Sequence, residues 1–353
     1  MGLFDLSLAT KGMTAAIRFK ILRRHLYAFI RHMTAKKMLN FAAAELARIK
    51  KSEIVSSMPY VLKIESSNIC NLQCAYCYNN RRQPTDGERP YGRMSFKQFK
   101  ELIDEVGDYL FKINLYGFGE PWLFPESLEM IKYATEKNIG IGVSSNMNFN
   151  DPGLPARIVA SGLEVLIFSC HGVTPQTYLK FMRNGNIDLA LRNIRSVVEE
   201  RTRVGATTPL IDWQYCVTGF NEHEIHAARA KSAELGVDQI RFIRPFFPDE
   251  ASDDWFSSMF PKQNLQNHIE TVLDCSWPYR SAYVSYDGGL LPCCRDFRLL
   301  ANDLGNVFQD GFKNIWNNDR YRASRRLIKK PNERVEQKTI CANCPVVLSR
   351  RVG

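Results

Sequence analysis

Apolar and polar positions along the chain fall into three textures. Between residues 12 and 51, apolar residues recur every three or four positions: Ile17, Ile21, Leu22, Leu26, Phe29, Ile30 and Met33, then Met38, Leu39, Phe41, Ala42 to Ala44, Leu46 and Ile49. That spacing predicts helix. From Met58 the texture changes to short, nearly continuous apolar runs alternating with helical stretches. Strands are expected at 60–66, 112–116, 141–144, 164–169, 211–217 and 239–243, with helices at 95–106, 125–137, 155–160, 175–180, 187–200 and 222–235. Ser95 is the expected N-cap of the first of these helices. Six strands, each but the last followed by helix, predict a parallel sheet with crossover helices. Burial on both faces accounts for strands that are apolar throughout. Past residue 275 the elements shorten. A hairpin is expected at Tyr286-Asp287-Gly288-Gly289, between 283–285 and 290–293, and a helix over 312–327.

Charge adds an asymmetry. The net charge is +10, and residues 1–51 hold eleven Lys and Arg against Asp5 and Glu45. The rest of the chain is close to neutral, so no specific nucleic-acid footprint is expected. The basic helical segment has two readings: a helix on an anionic membrane surface, or an extension packed on the main domain with a solvated basic face. No run approaches the roughly 18–20 apolar residues that span a bilayer. No secretory signal is apparent, so a cytoplasmic location is expected, with peripheral membrane contact through residues 12–51 as the alternative. Ten cysteines in that setting point to metal binding rather than disulfides.

Three of the cysteines form Cys70-x3-Cys74-x2-Cys77, directly after the first strand. A closed zinc site takes four protein ligands, and a four-iron cluster has four corners. Three local thiolates leave one position open, and an open position is where substrate or cosubstrate binds. With Tyr76 before the last cysteine, the loop resembles the signature of the radical S-adenosylmethionine (SAM) enzymes. The resemblance implies a [4Fe–4S] cluster whose open iron chelates SAM, reductive cleavage of SAM, and hydrogen-atom abstraction. It also implies an incomplete (β/α)6 barrel. A structural zinc loop is the alternative.

In parallel α/β folds, ligands sit at the carboxyl ends of strands. The second end carries Gly117-Phe118-Gly119-Glu120-Pro121, where glycines permit close backbone approach and a carboxylate can meet an ammonium. It resembles the family's Gly-Gly-Glu-Pro stretch, which binds the SAM amino group, with one glycine replaced by Phe118. Ser144 and Asn146 at the third end are similar to the family's ribose contacts. Ser169-Cys170-His171-Gly172 at the fourth resembles its Ser-x-Asp-Gly, with His171 in place of the acid. Arg183 stands where the family often places an arginine near the SAM carboxylate. Cys170 and Cys216 read as buried apolar residues, and His223 and His226 as surface histidines.

A second cysteine set comprises Cys275, Cys293-Cys294 and Cys341-x2-Cys344. With the Gly288-x4-Cys293 step it resembles the SPASM/twitch extensions of radical SAM enzymes. The resemblance implies one auxiliary [4Fe–4S] cluster held by Cys275, Cys293, Cys341 and Cys344. Cys294 is then left as an alternative ligand, a buried thiol, or a hydrogen-atom donor, the catalytic role assigned to it here. A zinc ribbon-like domain is the alternative for this set, since Cys341-x2-Cys344 is a common zinc half-site, but beside a radical SAM core the cluster reading is preferred.

The expected organisation is a basic helical extension (1–57), a radical SAM core (58–244), a linker (245–274) and an auxiliary-cluster domain (275–353). The expected function is that of a radical SAM oxidoreductase or epimerase acting on an unidentified small molecule or peptide. A flavodoxin or ferredoxin is the expected reductant. A non-catalytic iron–sulfur or zinc protein is the alternative.

Overall fold

The computed structural model describes residues 27–77, 83–245, 251–260 and 275–351. Helix α1 (Ala35–Ile49) precedes the first strand, β1 (Val61–Ile64). Then come α2 (Phe96–Val106), β2 (Lys112–Leu115), α3 (Glu126–Glu136), β3 (Gly140–Ser145), α4 (Leu154–Ala160), β4 (Val165–Ser169), α5 (Pro175–Phe181), α6 (Ile187–Arg203), β5 (Leu210–Cys216), α7 (Ile225–Glu234) and β6 (Gln239–Ile243). The C-terminal region supplies α8 (Trp277–Arg280), β7 (Ser281–Val284), β8 (Leu290–Leu291), α9 (Val307–Asp310), α10 (Phe312–Trp316), α11 (Asp319–Lys329) and α12 (Pro345–Leu348).

The sheet runs β6-β5-β4-β3-β2-β1-β7-β8 and does not close into a barrel. β1 to β6 are parallel neighbours in sequence order. Strand alternation sorts the two faces. Leu62, Ile64, Ile113, Leu115, Ile141, Val143, Leu166, Phe168, Ile211, Trp213, Tyr215, Ile240 and Phe242 join the core shared with the helices. The opposite, inner face carries Lys63, Asn114, Asp212, Gln214 and Arg241. Trp213 therefore packs outward on Phe168, and its indole donates to Cys170 O at 2.8 Å. Asp212 and Arg241 pair on the inner face at 2.7 Å.

Two helical expectations are corrected. The long N-terminal helix is broken at Thr34, whose hydroxyl caps α1 by accepting from Lys37 N–H. Residues 12–26 of that expectation lie outside the described residues. The helix expected over 312–327 is two helices, because Asn318 leaves the helical conformation and caps α11 through Tyr321 N–H at 2.9 Å. The capping box of α2 is present, with Ser95 and Gln98 satisfying each other's backbone donors.

α1 packs through Ala44 and Phe41 against Tyr60, Val61 and Phe111. Glu45 on α1 meets Arg280 at 2.5 Å and accepts from the Tyr60 hydroxyl at 2.8 Å. The expected C-terminal hairpin does more than follow the sheet. β7 lies parallel to β1, with Lys63 opposite Tyr283, so the C-terminal region extends the core sheet. Among the described residues, no helix is long and apolar enough to cross a membrane.

Candidate active site

The first cysteine loop is held by its neighbours' backbones. Gln73 N–H donates to Arg183 O at 3.1 Å and Ala75 N–H to Phe181 O at 2.8 Å. Glu120 N–H donates to Ile69 O, joining the loop to the second strand end. Tyr76 sits in the left-handed region at φ 57° and packs edge-on against Trp255, 4.9 Å between ring centres. Trp255 also meets Phe181 and Phe220, so this aromatic of the expected linker is packed. Phe246 and Phe247 lie outside the described residues.

Cys70, Cys74 and Cys77 form no disulfide and are each partly covered; burial first, and the neighbouring thiols after it, raise the pKa of Cys70 and Cys74. Burial, with Glu120 nearby, pushes Cys70 up to about 12. Such thiols stay protonated unless a metal centre stabilises the thiolate. Asn146 Nδ2 approaches Cys70 Sγ at 3.8 Å and donates to Asn71 Oδ1 at 2.9 Å. Asn71 in turn donates to Asn148 O at 2.6 Å. Asn71 and Asn148 went unnoticed in the sequence because isolated asparagines in loops are ordinary turn residues.

The close approach at Gly117 and Gly119 is to the protein itself. A Cβ at Gly119 would fall on Ser67 O, and one at Gly117 on the Glu65 carboxyl. Glu120 is buried, and both its oxygens are engaged. Oε2 accepts Asn146 N–H at 2.8 Å, and Oε1 accepts from the Ser145 hydroxyl at 2.8 Å and from Trp122 N–H at 3.3 Å. Burial raises its pKa to about 7 against those bonds. Pro121 is buried and opens the short turn that follows. Ser144 and Ser169 meet through their hydroxyls at 3.0 Å across β3 and β4. Arg183 has an exposed side chain, and its carbonyl makes the contact to the cysteine loop. His171 is buried, and desolvation lowers it to about 4. Its Nδ1 accepts from Cys216 N–H at 3.1 Å, so it is a neutral brace in place of the family's acid.

The second set surrounds one cavity. Cys275, Cys293, Cys341 and Cys344 line it together with Ile328, Ile340 and Val347. Among the described residues, no three His, Cys, Asp or Glu converge as they would on a single ion. Four thiols spaced around an apolar cavity match a cluster with four corners. Cys294 faces elsewhere: it packs with Phe118, Tyr283, Leu291 and Phe297, whereas Cys293 joins the cysteine-bearing group of Leu327, Ile340, Cys341 and Val347. Cys170 and Cys216 are buried, and His223 and His226 are exposed.

Comparison with known proteins agrees with this arrangement. The model of the radical SAM superfamily matches residues 64–228, and that of the SPASM iron–sulfur cluster-binding domain matches 275–345. The mycofactocin maturase MftC of Mycobacterium tuberculosis is 29% identical over 74% of this chain and 71% of its own. A tungsten-containing aldehyde ferredoxin oxidoreductase cofactor-modifying protein of Pyrococcus furiosus is 20% identical over 76% and 83%. Among solved structures, Streptococcus suis SuiB bound to precursor peptide SuiA aligns with a TM-score of 0.60 at 14% identity, over 94% of this chain and 75% of that one. The chain belongs to the radical SAM superfamily: it is an enzyme that uses a [4Fe–4S] cluster and SAM, and it carries a C-terminal SPASM domain for auxiliary iron–sulfur binding.

Proposed function

We propose that the enzyme is a maturase that modifies a peptide precursor. The observation that carries this reading is the pairing of two cysteine sets across one sheet. Cys70, Cys74 and Cys77 follow β1, and Cys275, Cys293, Cys341 and Cys344 surround a cavity reached through β7, which pairs with β1. MftC is itself named a maturase, and the fold is that of a protein solved with a precursor peptide, which favours peptide over small metabolite.

In this reading the three loop cysteines hold the SAM-binding cluster, and the four cavity cysteines hold one auxiliary cluster. When bound, the first cluster and SAM supply reductive cleavage and a hydrogen-abstracting radical. The chain's own residues orient and enclose. Glu120 fixes Ser145 and Asn146, and Asn146 fixes Asn71 beside Cys70. Tyr76, Gly117, Gly119 and Pro121 shape the SAM side of the loop, with Ser144, Ser169 and Arg183 at its edge. A non-catalytic electron carrier needs no such pocket and is disfavoured. A flavodoxin or ferredoxin supplies the electron.

Cys294 is the proposed catalytic thiol, because it turns from the auxiliary cavity toward the inner face. It gives its hydrogen atom to a substrate radical, and one electron from the reductant and one proton then restore the thiol. We also assign the N-terminal extension a peripheral contact with anionic membrane. Its support is the exposed stripe Ala35, Leu39, Ala42, Leu46 and Ile49 on α1, with Leu39 at 74% and Ile49 at 67% exposure, beside Lys50 and Lys51.

The test is anaerobic reconstitution followed by reduction in the presence of SAM. The expected result is about eight irons per chain, from two four-iron clusters, and release of 5′-deoxyadenosine. Deuterated peptides should pass deuterium into that product. Absence of 5′-deoxyadenosine would refute the reading, and deuterium transfer from small metabolites alone would refute the peptide assignment. Pelleting with anionic vesicles that survives deletion of residues 1–50 would remove the membrane contact.

A further inference from the structure

The end of the described chain is strongly basic. Residues 319–351 hold ten Lys and Arg against Asp319, Glu333 and Glu336, while residues 52–318 carry an excess of acids. The whole-chain charge conceals this, because the two stretches nearly cancel. The basic stretch also supplies Ile328, Ile340, Cys341, Cys344 and Val347 to the wall of the four-thiol cavity. Hydrogen bonds gather its cations at that wall. Arg350 donates through Nη1 to Ile328 O at 2.8 Å and through its backbone N–H to Val347 O at 3.2 Å. Arg351 Nε donates to Pro331 O at 2.7 Å. The ends of α11 and α12 are thereby brought together, with Lys329 and Lys330 directly after Ile328.

Most of these charges are unspent. Lys329, Lys330, Arg334 and Lys338 are exposed, and Arg350 and Arg351 are half-buried. Among the described residues, Lys330 alone of the six pairs with a carboxylate, that of Glu333 at 3.2 Å. Two internal uses of the charge fall short. Cations at the end of α11 offset its dipole, which accounts for Lys329 and Lys330 but not for Arg334, Arg350 or Arg351. Cations that only balance the thiolates would act best from inside the wall, where Arg295 stands, and not from solvent that screens them. Leu348, 40% exposed, and half-buried Val346 put an apolar centre among the charges. An apolar centre with a charged rim is the anatomy of a protein-binding surface.

We propose that this face, with Lys329, Lys330, Arg334, Arg350 and Arg351 around Leu348, docks an acidic one-electron carrier protein that reduces the auxiliary cluster. The proposal rests on the reading that Cys275, Cys293, Cys341 and Cys344 hold that cluster. Charge and place together select the partner. A basic rim steers and orients an acidic protein. A nucleic acid or an anionic bilayer would meet the charge but give no reason for its position at the cluster wall. The step is one electron transfer. The carrier is oxidised by one electron, the cluster is reduced by one, and no bond forms or breaks. Cys293 joins the cavity side and its neighbour Cys294 the opposite side. An electron entering here is therefore delivered next to the thiol that the proposed hydrogen transfer leaves to be restored.

The test measures binding and reduction on the full-length, anaerobic, cluster-loaded enzyme, with flavodoxin as the acidic probe and cytochrome c as a basic carrier. In calorimetry, flavodoxin should bind and weaken at least about tenfold between about 50 and about 300 mM salt, and cytochrome c should not bind. Lys329→Glu, Lys330→Glu and Arg334→Glu together should weaken flavodoxin at least about tenfold at low salt, with iron content unchanged. In a chain with Cys70→Ala, Cys74→Ala and Cys77→Ala, which isolates the auxiliary cluster, those reversals should slow reduction by reduced flavodoxin and leave reduction by dithionite alone. Binding of neither carrier, binding of cytochrome c, or flavodoxin binding indifferent to the reversals overturns the dock. Loss of binding to phosphatidylglycerol vesicles with flavodoxin binding intact assigns the face to a membrane instead. If the reversed chain fails to fold, the wild-type contrast between the carriers and its salt dependence decide. Wild-type iron of about four per chain refutes the auxiliary-cluster reading, whereas failed docking at about eight refutes the dock alone.

Discussion

Glu120 accepts the backbone N–H of Asn146 at 2.8 Å, tying the end of β2 to the end of β3. Asn146 passes the restraint on through Asn71 to the cysteine loop. Glu120→Ala therefore strands three buried donors, the Asn146 N–H, the Ser145 hydroxyl and the Trp122 N–H, at about 1–3 kcal/mol each. The expected outcome is a loss of SAM affinity of about tenfold or more, read by equilibrium binding to the reconstituted enzyme. Asn146→Ala should show a smaller loss in the same direction.

Glu65 and Glu120 share an unusual state, each raised to about 7 by burial. A carboxyl raised on folding stabilises the native state most below its unfolded pKa. That stability is lost as pH rises through the folded value. Stability should therefore fall between about pH 4.5 and about pH 7 on account of these groups. Glu65→Gln keeps an acceptor for Phe118 N–H and removes the titration. Relative to wild type, it should gain of order 1–3 kcal/mol at pH 8 compared with pH 5. Thermal unfolding of the loaded enzyme at both pH values checks this, and an unchanged difference between the two proteins contradicts it.

Much of the sheet was legible because each strand is a short apolar run, and the cysteine spacings announce metal chemistry without a structure. What was hidden is non-local. No local pattern tells Ser281–Val284 to pair with Val61–Ile64, because that register is set across more than two hundred residues. Nothing local distinguishes Glu65 or Lys63, and only the partner strand shows Glu65 buried and Lys63 half-buried beside Tyr283. The helix break at Asn318 was missed because apolar periodicity continues through it, while the competing side-chain cap leaves no gap in the pattern.

Gly119 and Gly142 make opposite predictions. A methyl at Gly119 collides with the backbone of Ser67 and Ile69, which cannot yield as a side-chain tip could. Gly119→Ala should cost several kcal/mol or displace the cysteine loop. A methyl at Gly142 meets Lys112 and Val165 at an ordinary 3.7 Å. Iron content and melting temperature should drop for Gly119→Ala and stay near wild type for Gly142→Ala.

Asp212 and Arg241 form a buried ion pair, with side chains 2% and 7% exposed. Removing one partner leaves an uncompensated charge, at about 3–5 kcal/mol, whereas removing both is far milder. Asp212→Leu should be strongly destabilising in denaturant unfolding, and adding Arg241→Met should recover much of the loss. A double variant as unstable as the sum of its singles would show that the pair is not coupled.

Cys293 and Cys294 are adjacent in sequence but part in space. The first stands in the wall of the four-thiol cavity, and the second packs with Tyr283 and Phe297. If Cys293 is the ligand, Cys293→Ala should lower iron from about eight to about four per chain, with the loop cluster retained. Cys341→Ala should do the same. Cys294→Ala should keep the full iron content, because its sulfur faces away from the cavity. It should keep SAM cleavage but lose the step that returns hydrogen to the substrate, read by solvent deuterium in the product. Iron loss in Cys294→Ala with none in Cys293→Ala would exchange the two assignments. Full iron and unchanged product labelling in Cys294→Ala would leave that thiol a packing residue.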